Sequence, residues 1–248
     1  DQVTFAQNHV LMVEGEGETW RGGHLLPFPP PPPKSGAVRF VCVSDTHCKH
    51  GSLRIPEGDV LMHAGDMLFQ DRGLGAGFPH RGNGLRLLAE FNDWLGTLPH
   101  EAKLVIAGNH DRIIQEIGET EVRGTLSNCT YLENSHVSCG GVGVFGSPIS
   151  IGSTDNSAFQ VRDRQGLQTA LDLLPTGVDV LMTHGPASGD TFKAAIARAC
   201  PKYHVCGHIH NRYGVKRGGT TSINASSLDG SYRPTHPVIV LDCHPSHD

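Results

Sequence analysis

The sequence predicts an α/β fold, a layered sandwich in which helices flank β-sheet and the later, β-rich half forms a second sheet. Short apolar runs of strand length alternate with amphipathic stretches at helical spacing. With 248 residues the chain is long enough to bury a full core as one domain. Hydrophobic residues make up 38% and charged residues 18%, a globular balance rather than a disordered or fibrous one.

Residues 1–36 stand apart. They hold Gly15, Gly17, Gly22 and Gly23, then prolines from Pro29 to Pro33, without sustained periodicity. The proline run is expected to be a stiff polyproline II segment, and the whole stretch a tail draped on a domain spanning 37–248. Residues 10–13 are expected as a short edge strand. From residue 37 the apolar runs 38–43, 59–64 and 103–107 read as buried strands. Leu85, Leu88, Phe91 and Leu95 recur at helical spacing before Pro99, so 85–98 is expected as a helix. Residues 131–132, 136–139 and 142–145 read as short strands, the last two joined at Gly140 and Gly141. A helix over 165–173, a strand over 178–182, a helix over 192–199 and a strand over 203–206 follow. Strands over 213–215, 220–224 and 238–241 close the chain.

Charge narrows the function. The formal net charge is −5, and no run of Lys or Arg exceeds two neighbours. A grip on nucleic-acid backbone needs concentrated basic surface, so that partner is disfavoured. No apolar run approaches the roughly 20 residues of a membrane span. No stretch reads as a signal peptide. Seven cysteines without a Cys-x-x-Cys pair point to a reducing, cytoplasmic setting, with Cys42 and Cys206 buried in strands. Asn128 and Asn224 are then silent as glycosylation sites.

The chemistry lies at the strand ends. The run 38–43 leads to Asp45 and His47, and 59–64 to Gly65-Asp66. The run 103–107 leads to Gly108-Asn109-His110-Asp111, 178–182 to His184, and 203–206 to Gly207-His208-Ile209-His210. Ligands of open α/β sheets bind beyond the carboxyl ends of the strands, so five loops would face one crevice. Gly65, Gly108 and Gly207 each precede a ligand, where a sharp turn favours a residue without Cβ. Mixed carboxylate, imidazole and amide donors suit Mn, Fe or Zn. A pair of such ions clamps the oxygens of an in-line displacement and lowers the pKa of a bridging water.

This ordered set, Asp-x-His, Gly-Asp, Gly-Asn-His-Asp, Thr-His-Gly-Pro and Gly-His-x-His, resembles the calcineurin-like metallophosphoesterases over about residues 38–242. Residues 40–47, 91–110, 179–186 and 222–226 resemble its metallophosphoesterase-domain-containing subfamily, some of whose members are cyclic-nucleotide phosphodiesterases. The resemblance implies an αββα sandwich of two mixed β-sheets flanked by helices, with a dinuclear metal site at the C-terminal ends of the strands. It implies that Asp45, His47 and His210 bind one metal, that Asn109, His184 and His208 bind the other, and that Asp66 bridges them. It gives His110 the role of acid or charge stabiliser at the substrate phosphate, with Asp111 orienting it. Some subfamily members replace the first His of Gly-His-x-His by Gly, but this chain keeps His208.

The implied substrate is a small phosphoester, a nucleotide foremost, opened by attack of a metal-activated hydroxide. Two alternatives stay open: a phosphomonoesterase or protein phosphatase, and a low-turnover nucleotide-binding scaffold with the proline run as its docking element for a protein partner. His63, His100, His136, His204, His236, His244 and His247 read as structural or solvated. The Gly73–Gly75–Gly77 stretch lacks the Lys-Ser/Thr of a phosphate loop. Arg72, Arg81 and Arg112 read as surface residues at least as readily as phosphate contacts.

Overall fold

The structure, a computed structural model, describes residues 1–14, 18–69, 81–152 and 158–245. Helix α1 (Gln2–Asn8) starts at Asp1, whose carboxylate accepts from Thr4 N–H at 2.9 Å, and runs into β1 (His9–Met12). Then come β2 (Glu18–Trp20), β3 (Gly23–Pro27), β4 (Val38–Val43), β5 (Val60–Ala64), α2 (Arg81–Gly96), β6 (Ala102–Ile106), α3 (Arg112–Ile117), α4 (Glu119–Thr125) and β7 (Thr130–Tyr131). The second half comprises β8 (Ser135–Cys139), β9 (Val142–Ser147), the small pair β10 (Ser150–Ile151) and β11 (Gln160–Val161), and α5 (Arg164–Asp172). It continues with β12 (Val180–Thr183), α6 (Gly189–Ala199), β13 (Tyr203–Cys206), β14 (Gly214–Lys216), β15 (Thr221–Asn224) and β16 (Val238–Cys243).

Two mixed sheets result. The first has the order β2-β3-β1-β16-β4-β5-β6-β7, the second β14-β15-β13-β12-β9-β8. Strands β4 to β7 run parallel, as do β9, β12, β13 and β15, while β16 runs antiparallel to β4. Alternate residues of a strand face opposite sides, and these strands are apolar on both. Phe40 and Cys42 of β4 therefore join Met62, Leu104, Val144, Met182 and Val205 between the sheets. Val41 and Val43 face outward and pack with Leu88, Phe91, Leu95 and Ile113 of α2 and α3. On the far side Phe145 and Leu181 pack with Leu171, Phe192 and Ile196 of α5 and α6. The layering is αββα, as expected. Among the described residues no helix is long and apolar enough to cross a membrane.

Two expectations need correction. Residues 10–13 are not an edge strand: β1 lies between β3 and β16, with Val10 and Leu11 fully buried. The segment through Pro27 is thus woven into the first sheet rather than draped on it. Helices α3 and α4 were not expected either. At six and seven residues they are too short to show a period or to stand alone. Packing of Ile113, Ile114 and Val122 holds them, with the ion pairs Arg112–Glu116 and Arg123–Glu119 on their exposed faces.

A buried ion pair ties the termini of the domain together. Arg39, 4% exposed on β4, sends Nε and Nη2 to the two carboxylate oxygens of Asp242 on β16, each at 2.7 Å. Its Nη1 donates to Pro31 O at 2.6 Å and so holds the proline run. Arg39→Met leaves Asp242 without its partner and is expected to cost about 3 kcal/mol, since breaking a buried pair strands one charge. Thermal denaturation should show a drop of about 8 °C. A shift under about 2 °C would mean that solvent already screens the pair.

Candidate metal centre

The loops after β4, β5, β6, β12 and β13 end at one side of the sandwich. Sharp turns bring their side chains inward. Asp45, His47, Asp66 and His208 all have left-handed backbone, with φ of 53°, 42°, 54° and 68°. Each such residue costs on the order of 1 kcal/mol, strain that concentrates at functional sites. Gly65 has φ +94°, and a Cβ there would lie 2.6 Å from His184 Nδ1. Gly108 is needed for a different reason: a Cβ would meet Asp66 N at 2.5 Å and His184 Cε1 at 2.7 Å. The strand-end glycines serve close approach as much as turning.

Two groups of donors form. In each of Asp45–His47–His210 and Asp66–His184–His208, one ligand atom per residue lies within 4.8 Å of the others. His47 Nε2 is 3.3 Å from His210 Nε2, which is 3.6 Å from Asp45 Oδ1. Asn109 belongs with the second group, its Oδ1 lying 3.0 Å from His184 Nε2 and 2.8 Å from His208 Nδ1. Asp66 Oδ2 sits between the groups, 3.3 Å from His184 Nε2 and 3.8 Å from His47 Nε2. The i, i+2 pair Asp45 and His47 share a group, but His208 and His210 part. His208 is left-handed and His210 opens a 3₁₀ turn, so the extended alternation that would align them is absent.

The outward ring nitrogens test whether metal ions fit. His47 Nδ1 donates to Leu68 O at 3.2 Å, His184 Nδ1 to Ala64 O at 2.9 Å and His210 Nδ1 to Asp229 O at 2.9 Å. A backbone carbonyl accepts only, so in the neutral ring each Nδ1 carries the proton and each Nε2 presents a lone pair to the centre. That is the arrangement by which proteins orient metal-binding histidines. Asp45 is held by His208 N–H at 2.9 Å and by Ser226 Oγ–H at 2.8 Å. The residues fit two ions.

Burial and charge set the protonation of these groups. Burial pushes His47 and His208 down to about 4, the nearby carboxylates only partly opposing it. For His184 burial also pushes down, but the Asp66 charge outweighs it and raises the imidazole to about 9. Asp66 is held far below the usual carboxylate range: burial raises it, and His184 more than reverses that. An incoming ion must displace the His184 proton. Below about pH 9 apparent Mn²⁺ affinity at this group should therefore rise with pH, about tenfold per unit. Calorimetric affinities that stay flat from pH 6 to 8.5 would rule this proton out.

Asp111 is a correction. Its fully buried carboxylate does not reach His110; it accepts from Gly108 N–H at 2.8 Å, Leu68 N–H at 2.8 Å and Met67 N–H at 3.3 Å. It pins the Asp66 and Asn109 loops together. Burial and the Asp66 charge push it up to about 8, against those backbone donors. His110 instead packs edge-on to His47 at 4.9 Å and parallel to Phe69 at 5.8 Å. Its Nε2 is 4.0 Å from Asp66 Oδ2.

Sequence reasoning missed Ser226, Phe69 and Tyr232. Tyr232 stands edge-on to His47 at 4.9 Å and to His210 at 5.1 Å, and Phe69 meets Tyr232 at 5.2 Å. Ser226 had a usable signal, since it follows β15 as the other site residues follow their strands. His63 lies beneath the site, its Nε2 bonded to Thr46 Oγ1 at 2.9 Å. Arg112 pairs with Glu116 on the surface. Arg72, the Gly73–Gly75–Gly77 stretch and the Arg81 side chain lie outside the described residues.

Layering and site together define a class, αββα sandwiches that gather two His/Asp groups able to hold metal at the strand ends. Residues 38–245 match the calcineurin-like phosphoesterase superfamily domain. The human metallophosphoesterase domain-containing protein 1 is 36% identical over 98% of this chain and 78% of its own length. The Caenorhabditis elegans UPF0046 protein C25E10.12 is 34% identical over 83% of this chain and 80% of its own. A solved phosphopantetheinyl hydrolase from Mycobacterium tuberculosis shares the fold at a TM-score of 0.50 and 13% identity, covering 85% of this chain and 98% of its own. The chain belongs to the calcineurin-like phosphoesterase superfamily, whose members are metal-dependent hydrolases of phosphoric esters.

Proposed function

We propose that the chain is a phosphodiesterase that opens cyclic nucleotides or similar small phosphodiesters. The observation that carries this reading is the pair of donor groups joined across Asp66 with His110 beside it. Asp45, His47 and His210 would hold one ion, and Asn109, His184 and His208 the other, with Asp66 shared. Bound Mn, Fe or Zn ions would supply hydroxide at neutral pH and neutralise charge on the phosphoryl oxygens. His110, beside Asp66, is set to give a proton to the leaving alkoxide. Phe69 and Tyr232 offer aromatic surface to a planar base, which supports a nucleotide over a simple alkyl ester.

Seven unpaired cysteines support a reducing, cytoplasmic setting. The exposed prolines 31–33 support a proline-reading protein partner.

The test is to strip the protein with EDTA, reload Mn²⁺, and compare bis(p-nitrophenyl) phosphate with p-nitrophenyl phosphate. The diester is expected to turn over faster, with strict dependence on metal. Turnover of the monoester alone would move the substrate class to phosphatase. Turnover of neither, with metal bound, would leave the scaffold reading.

A further inference from the structure

The outer face of the second sheet is only partly covered. Helices α5 and α6 pack over β9 and β12. Beyond them β13, β15 and β14 border an open cleft of about 850 Å³, lined among others by His204 and Ser222. Its walls carry Arg21, Lys193, Arg212, Lys216 and Arg217, and among the described residues no Asp or Glu lines it. By composition a lining of this size would hold about two residues of each sign. The linear sequence hides the patch, because its cations come from four separate segments.

Arg217 is engaged, donating to the Glu14 carboxylate at 2.8 Å and to Val13 O at 2.5 Å. Arg21, Lys193, Arg212 and Lys216 are exposed, and among the described residues none of them has a carboxylate partner. The Arg21 guanidinium rests over the Trp20 ring at 5.5 Å. Four cations around one concavity, in a chain of net charge −5, repel one another and focus a positive field into it.

We propose that this cleft is a second ligand site, separate from the metal centre, for a compact anion bearing at least two phosphoryl groups. Size argues for a small molecule, because pockets of several hundred cubic ångströms enclose such ligands. A nucleic-acid backbone needs an extended basic stripe instead. The cleft backs onto the metal loops. Pro186 lies two residues beyond His184 and Arg212 two beyond His210, and both line it. Asn224, also in the lining, donates from Nδ2 to Gly207 O at 3.3 Å and to Ile209 O at 3.0 Å, on either side of His208. An anion seated there would press on the loops that present His184, His208 and His210.

Tripolyphosphate serves as the probe, titrated calorimetrically into the full chain in EDTA so that the metal centre takes no part. Binding is expected, and Lys193→Glu with Lys216→Glu should weaken it at least about tenfold. The neutral pair Lys193→Gln with Lys216→Gln should fall in between. The metal-loaded glutamate double variant should hydrolyse bis(p-nitrophenyl) phosphate at the unmodified rate, since neither lysine belongs to the metal centre. Asp66→Asn should bind tripolyphosphate as the unmodified chain does. Equal affinity in the lysine variants, or lost affinity in Asp66→Asn, would overturn the site. So would tighter binding of a single-stranded oligonucleotide of matched charge.

Discussion

Asp66→Asn is expected to empty both halves of the centre and to lower turnover roughly a thousandfold, about 4 kcal/mol of transition-state stabilisation. The substitution keeps volume, and an amide oxygen can still accept the His110 N–H that Asp66 Oδ1 receives at 2.8 Å. Shape is therefore preserved while charge is lost. Asp66 Oδ2 is the carboxylate oxygen that approaches both groups, at 3.3 Å from His184 and 3.8 Å from His47. Losing it should weaken the two ions together, which elemental analysis reads as a fall in both. Two ions per chain in the variant would remove Asp66 from its shared role. The variant also carries a second readout. Without the Asp66 charge, only Asp45 and the Ala64 carbonyl oppose the burial of His184, and the imidazole falls from about 9. Any residual Mn²⁺ binding should then release fewer protons near pH 8 than in the unmodified chain.

The parts of this architecture legible in the sequence are those decided locally. Strands β4, β5, β6, β12 and β13 are apolar on both faces, so each reads as a run, and the polar residue that ends the run is the one delivered to the crevice. Asp45, Asp66, Asn109, His184 and His208 follow from that rule alone. The place of β1 did not: residues 10–13 read as a strand, but its interior position depends on its parallel partner, β16, at the other end of the chain. Asp111 was misread for the opposite reason. It adjoins His110 in sequence, but Asp111 N–H closes a turn on Gly108 O at 3.1 Å and swings the carboxylate back onto the loop amides. Phe69 and Tyr232 come from loops whose meeting depends on the finished sandwich. The paired left-handed residues at the site are also invisible to propensity, since strain of that kind is maintained by the surrounding packing.

His110→Ala should leave both ions in place and still lose turnover by about 10²- to 10⁴-fold, the range of a positioned acid. His110 belongs to neither donor group, and its ring Nε2 lies 4.0 Å from Asp66 Oδ2. Its Nδ1 is buried without a hydrogen-bond partner among the described residues, so the ring is aligned by His47 and Phe69 rather than by a carboxylate. The leaving group tells an acid from a mere packing element. A p-nitrophenolate, whose conjugate acid has a pKa of about 7, departs with little help, whereas a ribose alkoxide needs a proton as the bond breaks. The variant should consequently lose far more on a cyclic nucleotide than on bis(p-nitrophenyl) phosphate. Equal losses on both substrates would reassign His110 to stabilising charge on the phosphoryl oxygens. A fall in metal content alongside activity would instead make the ring part of the support for His47, against which it stands edge-on.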